Sequence, residues 1–424
     1  MIYDLIIIGA GAAGLFATAN MPDGFRTIVL EKTDSPGKKL LLTGSGQCNL
    51  TNNEPIKAFL NRYGENGKYL RSVLFPFSNQ ALMADFEQHG LSLSVREDGK
   101  VFPASLKSMD VLHCLLRRSK ARGVDIQYRA DVTKIVYMSE ADDYRYCIHA
   151  SDSSHSEKVY FSKRVLVATG GESYPKTGSD GSIFRCLEDL GLNLVPRRPA
   201  LAPIYVDGYP YATLSGLTFA NASITIKGLT SVDNTNKQNN KSNSSHKCDG
   251  SLLFTHKGFS GLPILTLSRY VKSGDKMTIN YLPERVADEL RLELIKFASG
   301  DLRQIVTVLE QVTTLPRSFL EYKCYSNGID KSEKASHLSG KQMGLLASEL
   351  TADSYVVSGT GEFSVAMTTA GGVALSEVDL RSMEAKRYPG LFFAGEVLDV
   401  DGDTGGYNLQ FAFSSAMRSI VGMV

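Results

Sequence analysis

Apolar runs and helical stripes alternate along the first part of the chain. Leu5–Ile8 reads as a buried strand that leads through a glycine-rich turn into an apolar helix, Leu15–Asn20. Thr27–Leu30 repeats the strand pattern, and Ser108–Arg122 carries apolar residues at helical spacing, with Ser108 as its expected cap. Strands that alternate with helices in this way are typical of an α/β fold with a parallel sheet.

The same reasoning predicts further elements before residue 195. Helices are expected at 80–90 and 180–190. Strands are expected in 91–101, around a turn at 97–99, and at 124–128, 132–138, 144–150, 158–161 and 163–169.

The pattern changes at Pro196, where prolines and tyrosines mark a crossover into a second domain. Alternating stretches at 222–227, 251–255 and 276–281 suit a small β-sandwich or barrel, and the polar stretch Ser231–Gly250 reads as a mobile hairpin tip. Helices are expected at 285–299, 301–311 and 339–350, followed by strands at 354–360, 362–367 and 390–394 and a C-terminal helix from Tyr407. We therefore predict one domain from residues 1–195 and 362–424, a β-barrel-like insert from 196–281 and 352–361, and a helical subdomain from 282–351.

The first turn carries the spacing G-x-G-x-x-G at Gly9, Gly11 and Gly14, between a strand and a helix, with Ala12 and Ala13 inside it. Gly9 makes the tight turn, Gly11 lets backbone approach a pyrophosphate, and Gly14 lets helix and strand pack closely. Glu31 ends the second strand, about 20 residues on, where an acid accepts from a ribose hydroxyl; Lys32 follows it. The alternative is a glycine-rich turn in an ordinary α/β protein. An acid at the ribose favours FAD or NAD over NADP.

Two later segments suggest further contacts with the same ligand. The stretch Ser35–Asn52 is rich in glycine, hydroxyls and amides and includes Lys39, so it suits an anionic ligand; the alternative is a flexible surface loop. Strand 163–169 ends at Gly170 and Gly171, which would leave room for a cofactor.

The C-terminal segment combines a buried strand ending in Gly395 and Glu396 with a glycine pair that opens the last helix. The acid suits a ribityl hydroxyl, and the helix start points amides and a positive dipole at an anion, such as the N1/C2 edge of a reduced flavin. The alternative is a second phosphate-binding turn.

Composition and charge argue against several classes of function. With 46 basic and 45 acidic residues, the net charge is +1 and no basic block stands out, so we expect no nucleic-acid partner. Six scattered cysteines show neither a C-x-x-C pair nor zinc spacing, as expected of a reduced cytoplasmic protein without a metal site. The apolar start lacks a basic region and is used by the first strand, and no run reaches the length of a membrane span, so we expect no signal peptide and no membrane partner.

The chain resembles the HI0933-like family of flavoproteins, which includes aminoacetone-oxidase-like and bile-acid-pathway flavoproteins. The resemblance covers nearly the whole length and rests on six segments: IIIGAGAAGL, GKKLLLTGSGQCNLTN, VLVATGGESYPKTGSDG, FTHKGFSG, TTAGGV and LFFAGEVLDVDGDTGGYNLQFAFSSA. It implies an α/β fold: a two-dinucleotide-binding-type (Rossmann-like) FAD domain with an inserted β-barrel-like domain and a helical subdomain.

The motifs read from the residues and the positions that the resemblance implies together give the predicted FAD-binding residues. They are Gly9, Gly11, Ala12, Ala13, Gly14, Glu31, Lys32, Lys39, Gly46, Cys48, Asn49, Val132 (adenine, by its backbone), Thr169, Gly170, Gly171, Gly395, Glu396, Asp403, Gly406, Asn408 and Leu409. Three positions depart from the family: Gln47 stands where arginine is usual, so a cation near the flavin or substrate is missing; Phe411 replaces a frequent tryptophan; and Ala416 replaces a common glycine.

We expect an FAD-dependent oxidoreductase with a small-molecule substrate. Hydride would pass to flavin N5 from that substrate or from transiently bound NAD(P)H, and oxygen or another acceptor would reoxidise the flavin. Val357–Gly361 has two glycines but no helix after it, so no second nucleotide fingerprint is found. The alternatives are a flavin-binding redox sensor without turnover and an FAD-dependent nucleic-acid-modifying enzyme.

No residue is assigned as catalytic acid or base. The polar side chains in motifs near the expected ring are Tyr174, Lys176, His256, Lys257 and Tyr407, and His256 draws attention because imidazole titrates near neutrality.

Overall fold

A computed structural model describes residues 1–139, 143–152, 154, 156–228, 245–299 and 302–424. The chain divides into two compact units. The nucleotide unit comprises residues 1–200 and 363–424, and the barrel unit comprises residues 201–362.

The strands, in chain order, are β1 (Ile2–Ile8), β2 (Thr27–Glu31), β3 (Thr51–Asn52), β4 (Leu93–Val95), β5 (Lys100–Pro103), β6 (Asp125–Tyr128), β7 (Asp131–Tyr137), β8 (Tyr146–Ser151), β9 (Glu157–Val167), β10 (Leu194–Ala200), β11 (Ile204–Val206), β12 (Thr218–Lys227), β13 (Ser245–Phe254), β14 (Phe259–Gly261), β15 (Lys276–Asn280), β16 (Asp353–Thr360), β17 (Thr368–Val373), β18 (Val378–Asp379), β19 (Glu384–Ala385) and β20 (Leu391–Phe393).

The helices are α1 (Ala12–Ala19), α2 (Lys38–Leu42), α3 (Ile56–Phe59), α4 (Arg71–Leu74), α5 (Asn79–Gln88), α6 (Ser108–Ala121), α7 (Ile183–Asp189), α8 (Leu262–Leu267), α9 (Ala287–Ala298), α10 (Ile305–Thr313), α11 (Arg317–Ser326), α12 (Gly340–Thr351) and α13 (Tyr407–Met423).

A sheet with the strand order β18-β19-β20-β9-β1-β2-β6 forms the centre of the nucleotide unit, and β8 and β7 continue from β9. Strands β20, β9, β1, β2 and β6 run parallel. The last four residues of β1 are buried on both faces, which explains why they form an unbroken apolar run rather than an alternating one. The carboxyl ends of these parallel strands therefore share one edge.

Several sequence-based boundaries are corrected by this sheet. Strand β9 is continuous over Glu157–Val167, where two strands were expected. Its first half pairs with β8 and its second half with β20, while β1 runs along the other edge from Phe161 onward, so the chain has no reason to break.

Residues 362–367 do not form the expected strand, and the strand is instead β17, antiparallel to β10. All six residues of β17 are buried, so alternation does not reveal it, and its glycines weaken the strand signal. Ser108 does not cap α6; its hydroxyl donates to the Leu41 carbonyl at 3.0 Å. The expected loop 35–52 contains α2 and a short 3-10 turn.

The barrel unit contains a closed barrel with the strand order β11-β14-β13-β12-β15-β16. Residues 245–250 of the expected hairpin tip belong to β13, where they pair with β12; residues 231–244 of that tip lie outside the described residues. Helices α9 to α12 complete the unit, and α11 was not expected from the sequence.

A buried ionic and hydroxyl network ties α11 to the barrel. One carboxylate oxygen of Asp353, at the start of β16, accepts from the Lys323 ammonium at 2.8 Å. The same oxygen accepts from the hydroxyls of Tyr211, Tyr281 and Tyr355 at 2.6, 3.0 and 2.5 Å. Burial, reinforced by nearby negative charge, raises the pKa of all three tyrosines, so they remain protonated donors.

We predict that Asp353→Ala destabilises the barrel unit by about 3–5 kcal/mol, because it removes the shared acceptor of three buried hydroxyls and leaves the buried Lys323 ammonium with the more distant Glu349 carboxylate, at 3.2 Å. Urea unfolding followed by circular dichroism measures the change. Asp207, an exposed turn residue, provides the control, and Asp207→Ala should change the free energy of unfolding by less than about 0.5 kcal/mol. Equal stability of the two variants would contradict a stabilising role for the network.

Candidate functional site

The turn after β1 has little room for side chains. Gly9 has a φ of +101°, and a Cβ added there would lie 2.7 Å from the Ala168 carbonyl oxygen. A Cβ on Gly14 would lie 2.0 Å from the Gly9 carbonyl oxygen, closer than atoms can approach. Gly9 and Gly14 thus permit the tight turn and the close approach of α1 to β1. A Cβ on Gly11 would come no closer than 4.0 Å to its nearest neighbour.

A cleft opens at the carboxyl edge of the parallel strands. It holds about 1300 Å³ of space outside protein atoms, part of which is open to solvent. Most of the predicted FAD-binding residues line it: Gly9, Gly11, Ala12, Ala13, Glu31, Lys32, Lys39, Val132, Thr169, Gly170, Gly171, Gly395, Glu396, Asn408 and Leu409. Gly14, Gly46, Cys48, Asn49, Asp403 and Gly406 are not among the lining residues.

Two helices begin at this cleft. Helix α1 follows Gly11 and helix α13 follows Gly406, and neither has a side-chain cap or an acidic residue in its first turn. The first amides of a helix have no intrahelical acceptor and carry the positive end of the helix dipole. The cleft therefore offers two positions for negative charge, which suits FAD, with its pyrophosphate and its ring edge that becomes negative on reduction.

The Glu31 carboxylate is held at the end of β2. One oxygen accepts from the Ala10 amide at 2.7 Å, and the other accepts from the amide and hydroxyl of Thr33, both at 2.8 Å. These bonds fix the carboxylate beside the glycine turn.

Lys32 connects three segments at one end of the cleft. Its ammonium donates to Asp180 at 2.7 Å and to Ser182 at 3.0 Å, and it lies 3.1 Å from Asp131. Partial burial lowers the pKa of Lys32, but the hydrogen bonds and charges of Asp180 and Asp131 together outweigh it, so the pKa lies above its ordinary value. Neither aspartate was among the predicted binding residues: Asp131 is the first residue of β7, and Asp180 lies in the segment VLVATGGESYPKTGSDG, where no contact was assigned to it.

Lys39 and Glu396 form an ion pair at the other end of the cleft. The Lys39 ammonium donates to Glu396 at 2.6 Å and also to the Ser173 hydroxyl. The second oxygen of Glu396 accepts from the Ser173 hydroxyl at 2.9 Å and from the Thr369 amide at 2.8 Å. A lysine from α2 is thereby placed against the residues that follow β20, and Ser173 and Thr369 join a site from which the sequence analysis omitted them.

Cys48 and Asn49 do not line the cleft but stabilise the segments around it by packing and hydrogen bonding. The Cys48 side chain is fully buried, and burial raises the pKa of its thiol to about 12, so it is a packing residue. With its amide oriented to satisfy its neighbours, Asn49 accepts from the Gly406 amide at 3.1 Å and donates to the Thr51 and Val101 carbonyls. This contact links the 43–52 segment to the start of α13.

A cation does lie beside Gln47, the position where the family usually has arginine. The Arg96 guanidinium donates to the Gln47 side-chain oxygen at 2.6 Å and stacks 4.0 Å from the centre of the Phe102 ring. Phe411 and Ala416, the other two departures, are both buried in α13; Phe411 also lines the cleft, whereas Ala416 does not.

The acid/base candidates are less suited to catalysis than their motifs suggest. Tyr407 is buried and its hydroxyl donates to Glu54 at 2.9 Å, while burial raises its pKa, so it anchors α13 instead of facing a ligand. Tyr174 and Lys176 do not line the cleft. His256 and Lys257 are exposed in the barrel unit.

The parallel sheet, the glycine turn and the cleft with its two open helix ends define an FAD-dependent oxidoreductase of Rossmann type. The chain belongs to the family described as HI0933-like protein Rossmann domain, which matches residues 3–421. The predicted family, fold class, FAD cofactor and oxidoreductase class are thus confirmed.

Similar proteins span nearly the whole chain. Ribosomal RNA dihydrouridine synthases of Haemophilus influenzae and Escherichia coli are each 29% identical, over 97% and 98% of this chain and 96% of each relative. A 3-dehydro-bile acid delta(4,6)-reductase of Clostridium scindens is 30% identical over 96% of both chains. The solved structure of 3-ketosteroid-delta4-(5alpha)-dehydrogenase from Rhodococcus jostii RHA1, in complex with 4-androstene-3,17-dione, is similar in fold, with a TM-score of 0.52 and 16% identity over 100% of this chain and 96% of that chain.

Within the part of the chain that the structure describes, none of the helices combines the length and apolar character needed to cross a membrane.

Gly14→Ala should raise the Kd for FAD at least tenfold, because the added methyl group must push α1 away from the Gly9 carbonyl and misalign the turn. Flavin fluorescence during FAD titration of the FAD-depleted protein measures the Kd. Gly359→Ala is the matched control, since nothing lies within 4 Å of its added Cβ. Circular dichroism checks that both variants are folded, and a parental Kd for a folded Gly14→Ala protein would refute this account of the turn.

Proposed function

We propose that this protein is an FAD-dependent reductase whose electron acceptor is a carbon–carbon double bond conjugated to a carbonyl group. The observation that carries the proposal is the cleft, with its glycine turn and two open helix starts, in a chain similar to reductases over its whole length. We further propose that the acceptor belongs to a small molecule or to a single exposed base.

The lining residues suggest how FAD would be held. The amides at Gly11 to Ala13 would bind the pyrophosphate, Glu31 the adenosine ribose, and the Val132 backbone the adenine. Glu396 and the start of α13, at Asn408 and Leu409, would meet the ribityl chain and the ring. The remaining predicted residues, Gly14, Gly46, Cys48, Asn49, Asp403 and Gly406, would act by shaping this cradle.

When bound, FAD accepts hydride from a donor and passes it to an acceptor. The chain contributes charge and position. Lys39, held by Glu396 and Ser173, would supply positive charge to the bound ring, and the α13 amides would add to it; both would favour the more negative, reduced form. Val357–Gly361 overlaps strand β16 and no helix follows it directly, so it lacks the strand–turn–helix of a second dinucleotide fingerprint. The donor would therefore be the substrate itself or NAD(P)H that binds transiently.

The names of the relatives indicate the chemical class of the electron acceptor. Making dihydrouridine from uridine saturates the C5–C6 double bond, which is conjugated to the C4 carbonyl. A delta(4,6)-reductase of a 3-dehydro bile acid acts on double bonds conjugated to the 3-oxo group. These substrates differ in size and polarity, but they share a β carbon that accepts hydride while the carbonyl oxygen takes up negative charge. We propose that this chain reduces an acceptor with the same conjugated group.

Anaerobic half-reactions test the proposal. The protein, saturated with FAD, should lose its yellow colour with NADH or NADPH. Adding cyclohex-2-enone, 4-androstene-3,17-dione or uridine-containing RNA should restore the colour with at least one of them and yield the saturated product, identified by mass spectrometry. Cyclohexanone, which has the carbonyl but no conjugated double bond, is the control. Reoxidation by oxygen alone would instead indicate an oxidase, and failure of every donor to bleach the flavin would count against catalysis.

Lys39→Met should lower the two-electron midpoint potential of bound FAD by about 30 mV or more, equivalent to about 1.4 kcal/mol, because it removes positive charge that favours the reduced state. Spectroelectrochemical titration measures the potential. Lys39→Arg should stay close to the parent, and Lys176→Met controls for loss of an exposed lysine. A parental potential in Lys39→Met would place Lys39 away from the ring.

A further inference from the structure

Three lysines lie on the outer face of three neighbouring strands of the barrel unit. Lys227 at the end of β12 is paired with Lys276 at the start of β15, and Lys247 on β13 pairs with Thr225 of β12. Paired residues on adjacent strands point to the same face, as do residues two apart on one strand. All three lysines are exposed, and we call this group the lysine strip.

The lysine strip has few negative charges near it. Like charges directly opposite on paired strands are unfavourable, yet Lys227 and Lys276 face each other. Among the described residues, neither lysine has a carboxylate within ion-pair distance, and Lys247 has only Asp249, at 3.8 Å, with both side chains more than half exposed. The nearest acidic neighbour in sequence, Asp275, is buried and accepts from the Lys272 amide at 2.8 Å.

Small polar side chains continue the same face. Thr225 lies between Lys247 and Thr278 in the register, and Ser245 pairs with Lys227. Hydroxyl groups interleaved with lysines are the side chains that contact phosphate and sugar oxygens of nucleic acids. The repulsion within the strip would be relieved by a ligand with several negative charges spaced along its length.

We infer that the lysine strip binds the phosphate backbone of an RNA substrate. The charge and hydroxyl pattern fits a polyanion, and two relatives are named as synthases of dihydrouridine in ribosomal RNA. The inference rests on the proposed function in one respect, since a uracil in RNA is one of the conjugated acceptors. It is a proposal against the expectation of no nucleic-acid partner, which relied on the near-neutral net charge and on the lack of a basic block in the sequence. Neither observation reveals the strip, because its lysines stand singly on three different strands.

Salt-dependent RNA binding tests the inference. The FAD-saturated protein is titrated into a fluorescein-labelled, uridine-rich single-stranded RNA, and anisotropy gives Kd at several salt concentrations. The variant K227Q/K247Q/K276Q should bind at least tenfold more weakly at low salt. The slope of log Kd against log salt should fall by about 2, since each lost phosphate contact contributes about 0.7 for single strands.

The matched control is K331Q/K334Q/K341Q, which removes three exposed lysines from the helical part of the same unit and changes the net charge equally. It should bind RNA like the parent. Equal weakening by both variants, or by neither, would overturn the inference. So would a parent protein that binds vesicles of anionic lipid but not RNA. Reduction of cyclohex-2-enone by each variant is measured in parallel. RNA binding without turnover would support the lysine strip and contradict the proposed function. Turnover without RNA binding would support the proposed function and contradict the lysine strip.

Discussion

The parallel pairing of β20 with β9, and of β9 with β1, is the contact on which the site depends. Val165–Val167 lies between Leu391–Phe393 on one side and Ile6–Ile8 on the other. Because parallel strands end at the same edge, Gly9 and Gly395 come together although nearly the whole chain separates them. Helix α13 then packs against α1, which brings both open helix starts to one cleft. The apolar side chains that drive this pairing are fully buried, so binding groups and core are stabilised by the same contacts.

Charge within the cleft is placed by paired groups. Lys32 lies between Asp131 and Asp180, and Lys39 is held by Glu396. Partly buried charges are costly unless they are paired. Each ion pair therefore offsets the cost of burying its ammonium and also holds that ammonium in position. The lysine strip of the barrel unit differs from this arrangement, since its charges face solvent and one another.

The sequence patterns correctly predicted the elements that bury one continuous apolar run or one apolar stripe. Strand β1 and helix α6 follow directly from an apolar run and an apolar stripe. Helix α11 was missed because Lys323 interrupts its apolar face, and that lysine tolerates burial because the Asp353 and Glu349 carboxylates accept from its ammonium. Strand β17 was missed because burial on both faces removes alternation.

For the site, local requirements of single residues were readable from the chain: a turn that admits only glycine at Gly9, a close approach at Gly14, and an acid at the end of β2. These were enough to indicate a dinucleotide fold, and the C-terminal segment together with the family resemblance indicated a flavin. The parts played by Ser173, Thr369 and Asp180, the burial of Cys48, and the opposition of Lys227 and Lys276 all depend on which distant segments pair and in what register. Electrostatic and hydrogen-bonding partners act over a few ångströms in space, and distance along the chain carries no information about that separation until the sheet has formed.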